Sequence, residues 1–489
     1  MPFSTAGWAA ALIALLGVAA MVTGAIVALT RGGDGAPPTV AAAAVVGAVP
    51  LATPVPSPRA ATPTVAPPAA TPTAAPPVAC GARCLVRLVD APASRDLLSR
   101  FGVRPVYAHG GQMWAAIPVG ALPDLAPVGP VAVVADAGDT LLLHVMRVPE
   151  GGDPAPVLDA GEVLDRVGNQ FLVRVPTVPF AAAPLTNAGI WVEKLPPFPA
   201  GLAPTRADLP EIGDLGTLAA AVSTENLKTT VADLQGIGAT DGGSGSRYYA
   251  DSGNVAAAEY LYRRFEAYGL KVWYEDFITA DGLLALQVVG EIPGRDASQV
   301  YLVLGHLDSI TDTPETAPGA DDNATGIAAM LEIARILSGY ELAHPVRFLA
   351  TNAEEVGILG APVFAARARE EGVPYAGAYN VDAVGSAANG RLLILNADEG
   401  SVWLEDVLIE MNDRFGLGQE LRVRQNPAIV ADDNSLRAAG IPTVLLAREM
   451  YGWSATHHTP DDVLATVDFE NVHATTQLVT LAIGSLVQE

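Results

Sequence analysis

Histidines and carboxylates cluster in the C-terminal half of this chain. His306 and Asp308 lie in GHLDS (305–309), Asp321 and Asp322 in GADDNATG (319–326), and Glu354 and Glu355 in NAEEVGILGA (352–361). Asp382 lies in NVDAVG (380–385) and His458 in HHTPDD (457–462). Two imidazoles with three or more carboxylates suit two zinc ions, with one carboxylate bridging them. Such a pair, roughly 3.5–4 Å apart, can hold a water and lower its pKa. A further carboxylate, free of the ions, must then take the proton. The adjacent Glu354 and Glu355 can divide these roles, since neighbouring side chains at a strand end point in different directions. Asp308, two residues beyond His306, is placed to accept the other ring N–H and fix the tautomer.

Each cluster alone has an ordinary reading. GHLDS is a strand-end turn, Glu354-Glu355 a solvated pair, and HTPDD a helix start with Thr459 as N-cap and Pro460 in the first turn. Their joint occurrence at successive strand ends points to a metal site. YLVLG (301–305), VRFLAT (346–351), AYNVDAV (378–384), LLIL (392–395) and PTVLLA (442–447) are short apolar runs expected of strands buried on both faces. GIAAMLEIARILSG (326–339) and WLEDVLIEMNDRFG (403–416) read as amphipathic helices between them, and 224–237 and 254–269 as helices ahead of them. In the last, Ala257, Tyr260, Leu261 and Phe265 share a face. The pattern predicts a three-layer αβα domain with a mostly parallel central sheet. Sites in such sheets form beyond the carboxyl ends of the strands, where the clusters fall.

GADDNATG also has near EF-hand spacing, through Asp321, Asn323, Thr325, Gly326 and Glu332, and contains a formal glycosylation triplet at Asn323. An EF-hand needs a helix on each side, whereas a strand precedes this loop, and Glu332 falls on the following helix as an expected surface residue. A glycan at Asn323 would block the cleft. A metal-bridging turn is the reading that fits.

With all five motifs in order, residues 221–489 resemble the di-zinc aminopeptidase family of bacterial secreted leucyl aminopeptidases and glutamate carboxypeptidase II-like proteins. The resemblance implies His306, Asp321, Glu355, Asp382 and His458 as ligands of two Zn2+. Asp321 would bridge, with His306 and Asp382 on one ion and Glu355 and His458 on the other. Glu354 would be the general base and Asp308 its catalytic companion. A cis peptide would follow the bridging residue, at Asp321-Asp322. Two positions depart from the family pattern: Ala431-Asp432-Asp433 replaces Ser-Asp-His, and His457 replaces the Tyr that often precedes the last ligand. Tyr451 could take over from that Tyr, and Asp432, Asp433 or Glu449 could bind a substrate ammonium. Peptides are the implied substrates and N-terminal cleavage the implied reaction. Carboxypeptidase, glutaminyl cyclase and a non-catalytic receptor are the alternatives; no Lys/Arg cluster adjoins the motifs for a substrate carboxylate, although Arg437 and Arg448 are near in sequence.

The remaining sequence positions this domain. With 28 Lys and Arg against 53 acids, a net charge of -25 argues against nucleic acid as a partner. Residues 6–29 carry no charge and are long enough for a bilayer span, so 1–32 is expected to be an anchor or a cleaved signal. This places the enzyme at a cell surface, outside the cytoplasm, or secreted after cleavage. Residues 33–79, rich in Ala, Pro and Thr, form a spacer. Residues 80–200 contain a repeat with an offset of 58, as in GGQMWAAIPVGAL over GNQFLVRVPTVPF. They are expected to form two small α/β units of ferredoxin-like pattern that resemble prodomain or adaptor modules and could contact the catalytic domain. His109 and His144 within them are isolated, and 201–220 is a connector. Cys80 and Cys84 leave a small disulfide and two free thiols both open.

Overall fold

The computed structural model describes residues 80–137, 140–197, 209–239, 245–388, 390–424, 430–448 and 454–488. The first small unit contains β1 (Arg83–Val89), α1 (Pro92–Arg100), β2 (Pro105–His109), β3 (Gln112–Pro118) and β4 (Ala132–Asp136). The second contains β5 (Leu143–Arg147), α2 (Ala155–Ala160), β6 (Glu162–Val167), β7 (Gln170–Arg174), α3 (Ala183–Asn187) and β8 (Trp191–Lys194). Their antiparallel sheets have corresponding orders, β2-β3-β1-β4 and β6-β7-β5-β8. Strand alternation gives each sheet two apolar faces. Leu85, Trp114 and Ala116 of the first pack on Leu143, Val145 and Leu172 of the second, while Val86, Leu88 and Met113 turn the other way, onto Leu98 of α1. At the edge of this contact Asp165 accepts from Arg87 Nη1 and Trp114 Nε1, each at 2.8 Å. Cys80 and Cys84 are joined as a disulfide. His144 is buried, and burial lowers its pKa to about 3.

The larger domain begins with α4 (Leu215–Ala220), α5 (Thr224–Gly236) and α6 (Ser252–Ala267), followed by β9 (Lys271–Ile278), β10 (Leu284–Ile292), β11 (Val300–His306) and α7 (Ala324–Leu337). Next come β12 (Val346–Thr351), α8 (Gly360–Glu370), β13 (Tyr375–Asp382), β14 (Leu392–Asn396) and α9 (Val402–Phe415). It ends with β15 (Glu420–Arg424), α10 (Asp432–Ala438), β16 (Thr443–Ala447) and α11 (Phe469–Leu486). The sheet order is β15-β14-β16-β13-β11-β12-β10-β9. The run β16-β13-β11-β12 is parallel. The β9–β10 hairpin and the β14–β16 pair are antiparallel, so the sheet is mixed, with a parallel centre. Every residue of β11 is buried, as a central strand covered on both faces requires.

Helix α7 is buried almost all round. Glu332, expected at the surface, is only 3% exposed. Its carboxylate accepts from the Ser223 amide at 2.7 Å and from Asn226 Nδ2 at 3.1 Å, and pairs with Arg335 at 2.7 Å, tying the start of α5 to α7. On α6, Ala257, Leu261 and Phe265 are buried as the periodicity predicts, while Tyr260 lies at the margin and donates to Asp233.

The second small unit is joined to the larger domain by main chain and by charge. Leu284 N donates to Phe180 O at 2.9 Å, and Ala183 N to Gly282 O at 3.2 Å. Lys194, 1% exposed, donates to Glu259 of α6 at 2.9 Å and to the carbonyls of Thr140 and Leu195.

The expectation of a membrane-anchored, cell-surface enzyme is corrected. No helix among the described residues is long and apolar enough to cross a membrane. Residues 6–29, on which that expectation stood, lie outside the described residues, as does the 33–79 spacer.

Removing one partner of a buried ion pair strands the other charge, at a cost of about 3–5 kcal/mol. Lys194→Met is therefore expected to lose about that much stability in denaturant melts, and Lys194→Met/Glu259→Leu to recover most of it. Equal losses in the single and double variants would count against the buried pair as the cause.

Candidate metal centre

Parallel register brings the clusters level. His306 at the end of β11 pairs with Thr351 at the end of β12, and Asp382 at the end of β13 pairs with Ala447 at the end of β16. Just beyond these ends, His306 Nε2 lies 3.1 Å from Asp322 Oδ1 and 3.2 Å from Asp382 Oδ1. The other oxygen of Asp322 faces the opposite side, 3.2 Å from His458 Nε2 and 3.0 Å from His457 Nδ1. His458 Nε2 also lies 2.9 Å from Glu355 Oε2. Asp322 thus stands between a His306–Asp382 pair and a His458–Glu355 pair.

The backbone is bent to make this arrangement. Among the described residues four non-glycines have positive φ: Ala353 (57°), Ile358 (56°), Ala383 (47°) and His458 (56°). Such conformations are costly for residues with a side chain and concentrate at functional sites. Here they are His458 itself, the neighbours of Glu354 and Asp382, and a residue of the cavity wall.

Two expectations about the turn are corrected. The central carboxylate is Asp322, not Asp321. Asp321 turns away, its Oδ1 accepting from the Gly385 amide at 2.6 Å and from Thr325 Oγ1 at 3.2 Å. Burial raises its pKa to about 8. The cis peptide is Asp322-Asn323, not Asp321-Asp322. Asn323 is fully buried; its side chain caps α7 by accepting from Gly326 N at 2.9 Å and donates to Val381 O at 3.0 Å.

Asp308 also acts differently from expectation. Its main-chain carbonyl, at 3.1 Å, is the neighbour of His306 Nδ1; its carboxylate is 3.7 Å away. The carboxylate instead accepts from the amides of Glu354 and Glu355, each at 3.2 Å. It fixes the loop that carries those two acids.

Two of the acids proposed for a substrate ammonium, Asp432 and Asp433, are not available to one. Asp432 and Asp433, in the first turn of α10, are 1% and 0% exposed. Asp432 accepts from Thr351, and Asp433 pairs with Arg437 one turn along. Burial raises their pKa values to about 7 and about 6. Glu449 and Tyr451 lie outside the described residues. Residues 457–461 form turns rather than a helix start, with Thr459 Oγ1 donating to Thr456 O at 2.8 Å. Asp462 was missed. It accepts the amides of Asp321 at 2.8 Å and Asp322 at 3.0 Å, and its place in the same motif as His458 was the available signal.

The electrostatics follow from crowding. Burial resists ionisation of Asp322, yet hydrogen bonds from His306, His457 and His458 hold its pKa well below the usual carboxylate range. Burial opposes protonation of His306, but Asp382, Asp308 and Asp322 raise its pKa well above the ordinary histidine value. Burial, opposed by His306 and reinforced by Asp432, Asp382 and Glu355, raises Glu354 to about 10. Burial also raises Glu355 to about 7, and its Oε1 is buried without a hydrogen-bond partner.

These residues fit a metal. His306, Asp322 and Glu355, and likewise Asp322, His457 and His458, offer donor atoms within 4.8 Å of one another. Imidazole and carboxylate are the donors zinc takes, and the Glu355 Oε1 left without a hydrogen-bond partner is one of them. The cluster opens into a cavity of about 300 Å³ whose acidic wall includes Glu354 and whose other wall is apolar: Ile358, Val430, Ala431, Leu445 and Ala447.

The donor set is of the kind that could hold a metal ion. Residues 287–483 match the model of peptidase family M28. It is 27% identical over 269 residues to leupeptin-inactivating enzyme 1 of Streptomyces exfoliatus, covering 54% of this chain and 55% of that protein. It is 38% identical over 109 residues to a probable zinc metalloprotease of Pyricularia oryzae, covering 21% and 22% of the two chains. It is 26% identical over 199 residues to aminopeptidase YwaD of Bacillus subtilis, covering 39% and 42%. The chain thus spans about half the length of the first of these relatives and less of the others.

In the metal-free protein, the hydrogen bond to Asp322 is the first cause of the raised pKa of His457. Asp322→Asn should lower the pH at which His457 deprotonates, read by NMR titration of the ring protons, while Asp321→Asn should leave it near the wild-type value. The reverse ranking would return the central position to Asp321.

Proposed function

We propose that this domain is a zinc-dependent aminopeptidase that hydrolyses the N-terminal bond of peptides. The observation that carries this reading is the division of Asp322 between two histidine–carboxylate pairs. In it, His306 and Asp382 would hold one zinc and His458 and Glu355 a second, with Asp322 placed between the two pairs. Bound zinc supplies Lewis-acid polarisation of the scissile carbonyl and positive charge that lowers the pKa of water and of nearby acids.

The chain's own groups do the rest. Asp308 holds the amides of Glu354 and Glu355 and so fixes how the two acids diverge. Glu354, in the cavity wall beside Glu355, is the carboxylate that would take a proton from water and return it to the leaving amine. The apolar wall accepts an uncharged side chain and excludes water from it. No Lys or Arg is among the described residues lining this cavity. Arg448 is 1% exposed and engaged with Gln419, Thr475 and the Leu392 carbonyl, and Arg437 with Asp433. Among the described lining residues a substrate carboxylate meets no Lys or Arg, whereas an ammonium meets an acidic wall. That contrast favours aminopeptidase over carboxypeptidase. The relatives named for zinc and for aminopeptidase activity support the same reading. For residues 80–200 we propose two ferredoxin-like units, kept docked through Lys194 and the Phe180–Ala183 segment.

Zinc analysis is expected to give about two ions per chain; about one would favour a cyclase and none a receptor. Aminoacyl p-nitroanilides with apolar side chains should be cleaved and N-blocked peptides spared; the opposite pattern would end the aminopeptidase reading. Glu354→Gln should lower kcat roughly 10²–10⁴-fold with zinc content near wild type. Retained turnover would remove Glu354 from its role.

A further inference from the structure

One buried cation beneath the cluster belongs to none of the motifs. Arg247 is 1% exposed. Its guanidinium donates from Nε to Leu307 O at 2.9 Å, from Nη1 to Pro318 O at 2.6 Å and Leu234 O at 3.3 Å, and from Nη2 to Gly319 O at 2.9 Å. Its amide donates to Ser309 Oγ at 3.2 Å. Leu307 follows His306, and Gly319 stands three residues before Asp322. A single planar group therefore spans two segments that carry donors of the metal cluster.

A third segment is reached through asparagines. Asn254 Nδ2 donates to Arg247 O and to Asn352 Oδ1, both at 2.9 Å, and Asn352 Nδ2 returns to Asn254 Oδ1 at 2.8 Å. Asn352 Oδ1 also accepts from Ala353 N at 2.8 Å, next to Glu354 and Glu355.

The neighbouring backbone is shaped to seat this side chain. A Cβ on Gly319 (φ +51°) would fall 2.9 Å from Arg247 Nη2 and 2.6 Å from Ser309 Cβ. A Cβ on Gly253 would fall 2.0 Å from the carbonyl of Ser246, the residue before Arg247. Burial lowers the Arg247 pKa to about 10, which leaves it charged at neutral pH, and its planar fork matches several acceptors at once.

We propose that Arg247 is a positioning residue. It sets the separation of the His306–Ser309, Pro318–Asp322 and Asn352–Glu355 segments and so pre-forms the metal cluster before any ion binds. This rests on the zinc reading above for its consequence, but not for its geometry. Lysine keeps the charge but offers three donors from a point rather than a fork, so it cannot span the same carbonyls.

The test uses the full chain. Amide hydrogen exchange is followed in the metal-free protein, and zinc affinity by chelator competition, for wild type, Arg247→Lys and Asn254→Asp. Arg247→Lys should exchange at least tenfold faster in 306–309 and 318–323, with α11 unchanged, and bind zinc at least tenfold more weakly. Asn254→Asp, which loses the donors to Arg247 O and Asn352, should loosen 352–355 while sparing 318–323. Wild-type exchange in these segments, or acceleration spread evenly through α11, would overturn the proposal, the latter by making Arg247 a general stabiliser. A wild-type protein that binds no zinc would defeat the zinc reading alone, because the exchange measurement still decides for or against Arg247.

Discussion

Negative charge confined in a buried space is the constraint on which the rest of the structure depends. Asp322, Asp382 and Glu355 converge on His306 and His458 at hydrogen-bonding distance, with Glu354 in the wall beside them. Carboxylates cannot share such a site unless cations join them or protons remain on them. The raised affinities of Glu354 and Glu355, the orphaned oxygen of Glu355 and the imidazoles drawn toward the protonated form are three expressions of that one imbalance. A dication of zinc type would remove it with the donors already present.

A site of this kind can be held only by rigid elements. The parallel centre of the sheet sets His306 and Asp382 level, and hydrogen bonds fix the loops that follow. Asp308 holds the amides ahead of the two glutamates, Asp462 holds the amides of the Asp321-Asp322 turn, and Asn323 ties that turn to β13 and α7. Acids therefore serve two purposes here. Some aim into the cleft, and others spend their lone pairs on backbone N–H groups, which is how irregular chain can be buried at all.

The small units extend the same packing. Their sheets cover each other's apolar faces, and the second meets the β9–β10 hairpin by main-chain bonds and α6 through Lys194 and Glu259. The two adjoining sheets have corresponding strand orders, β2-β3-β1-β4 and β6-β7-β5-β8.

By itself the sequence determined the type of domain, the central strands, the helices between them and the short motifs in which the candidate donor residues fall. Periodicity and motif order are local properties that survive without coordinates. Tertiary structure alone decided which of two adjacent acids faces the cluster. Asp321 and Asp322 are equivalent in composition, and the choice was made by the path of the turn and by the Gly385 amide waiting for Asp321. It likewise decided that Asp308 meets His306 through its carbonyl, that Asp432 and Asp433 are sealed inside, and that Glu332 is buried. In each case the side chain's partner lies far away in sequence, and only folding brings the two into contact. Arg247 is the clearest instance: no motif surrounds it, and its acceptors at Leu234, Leu307, Pro318 and Gly319 become neighbours only when the sheet and its loops have closed around it.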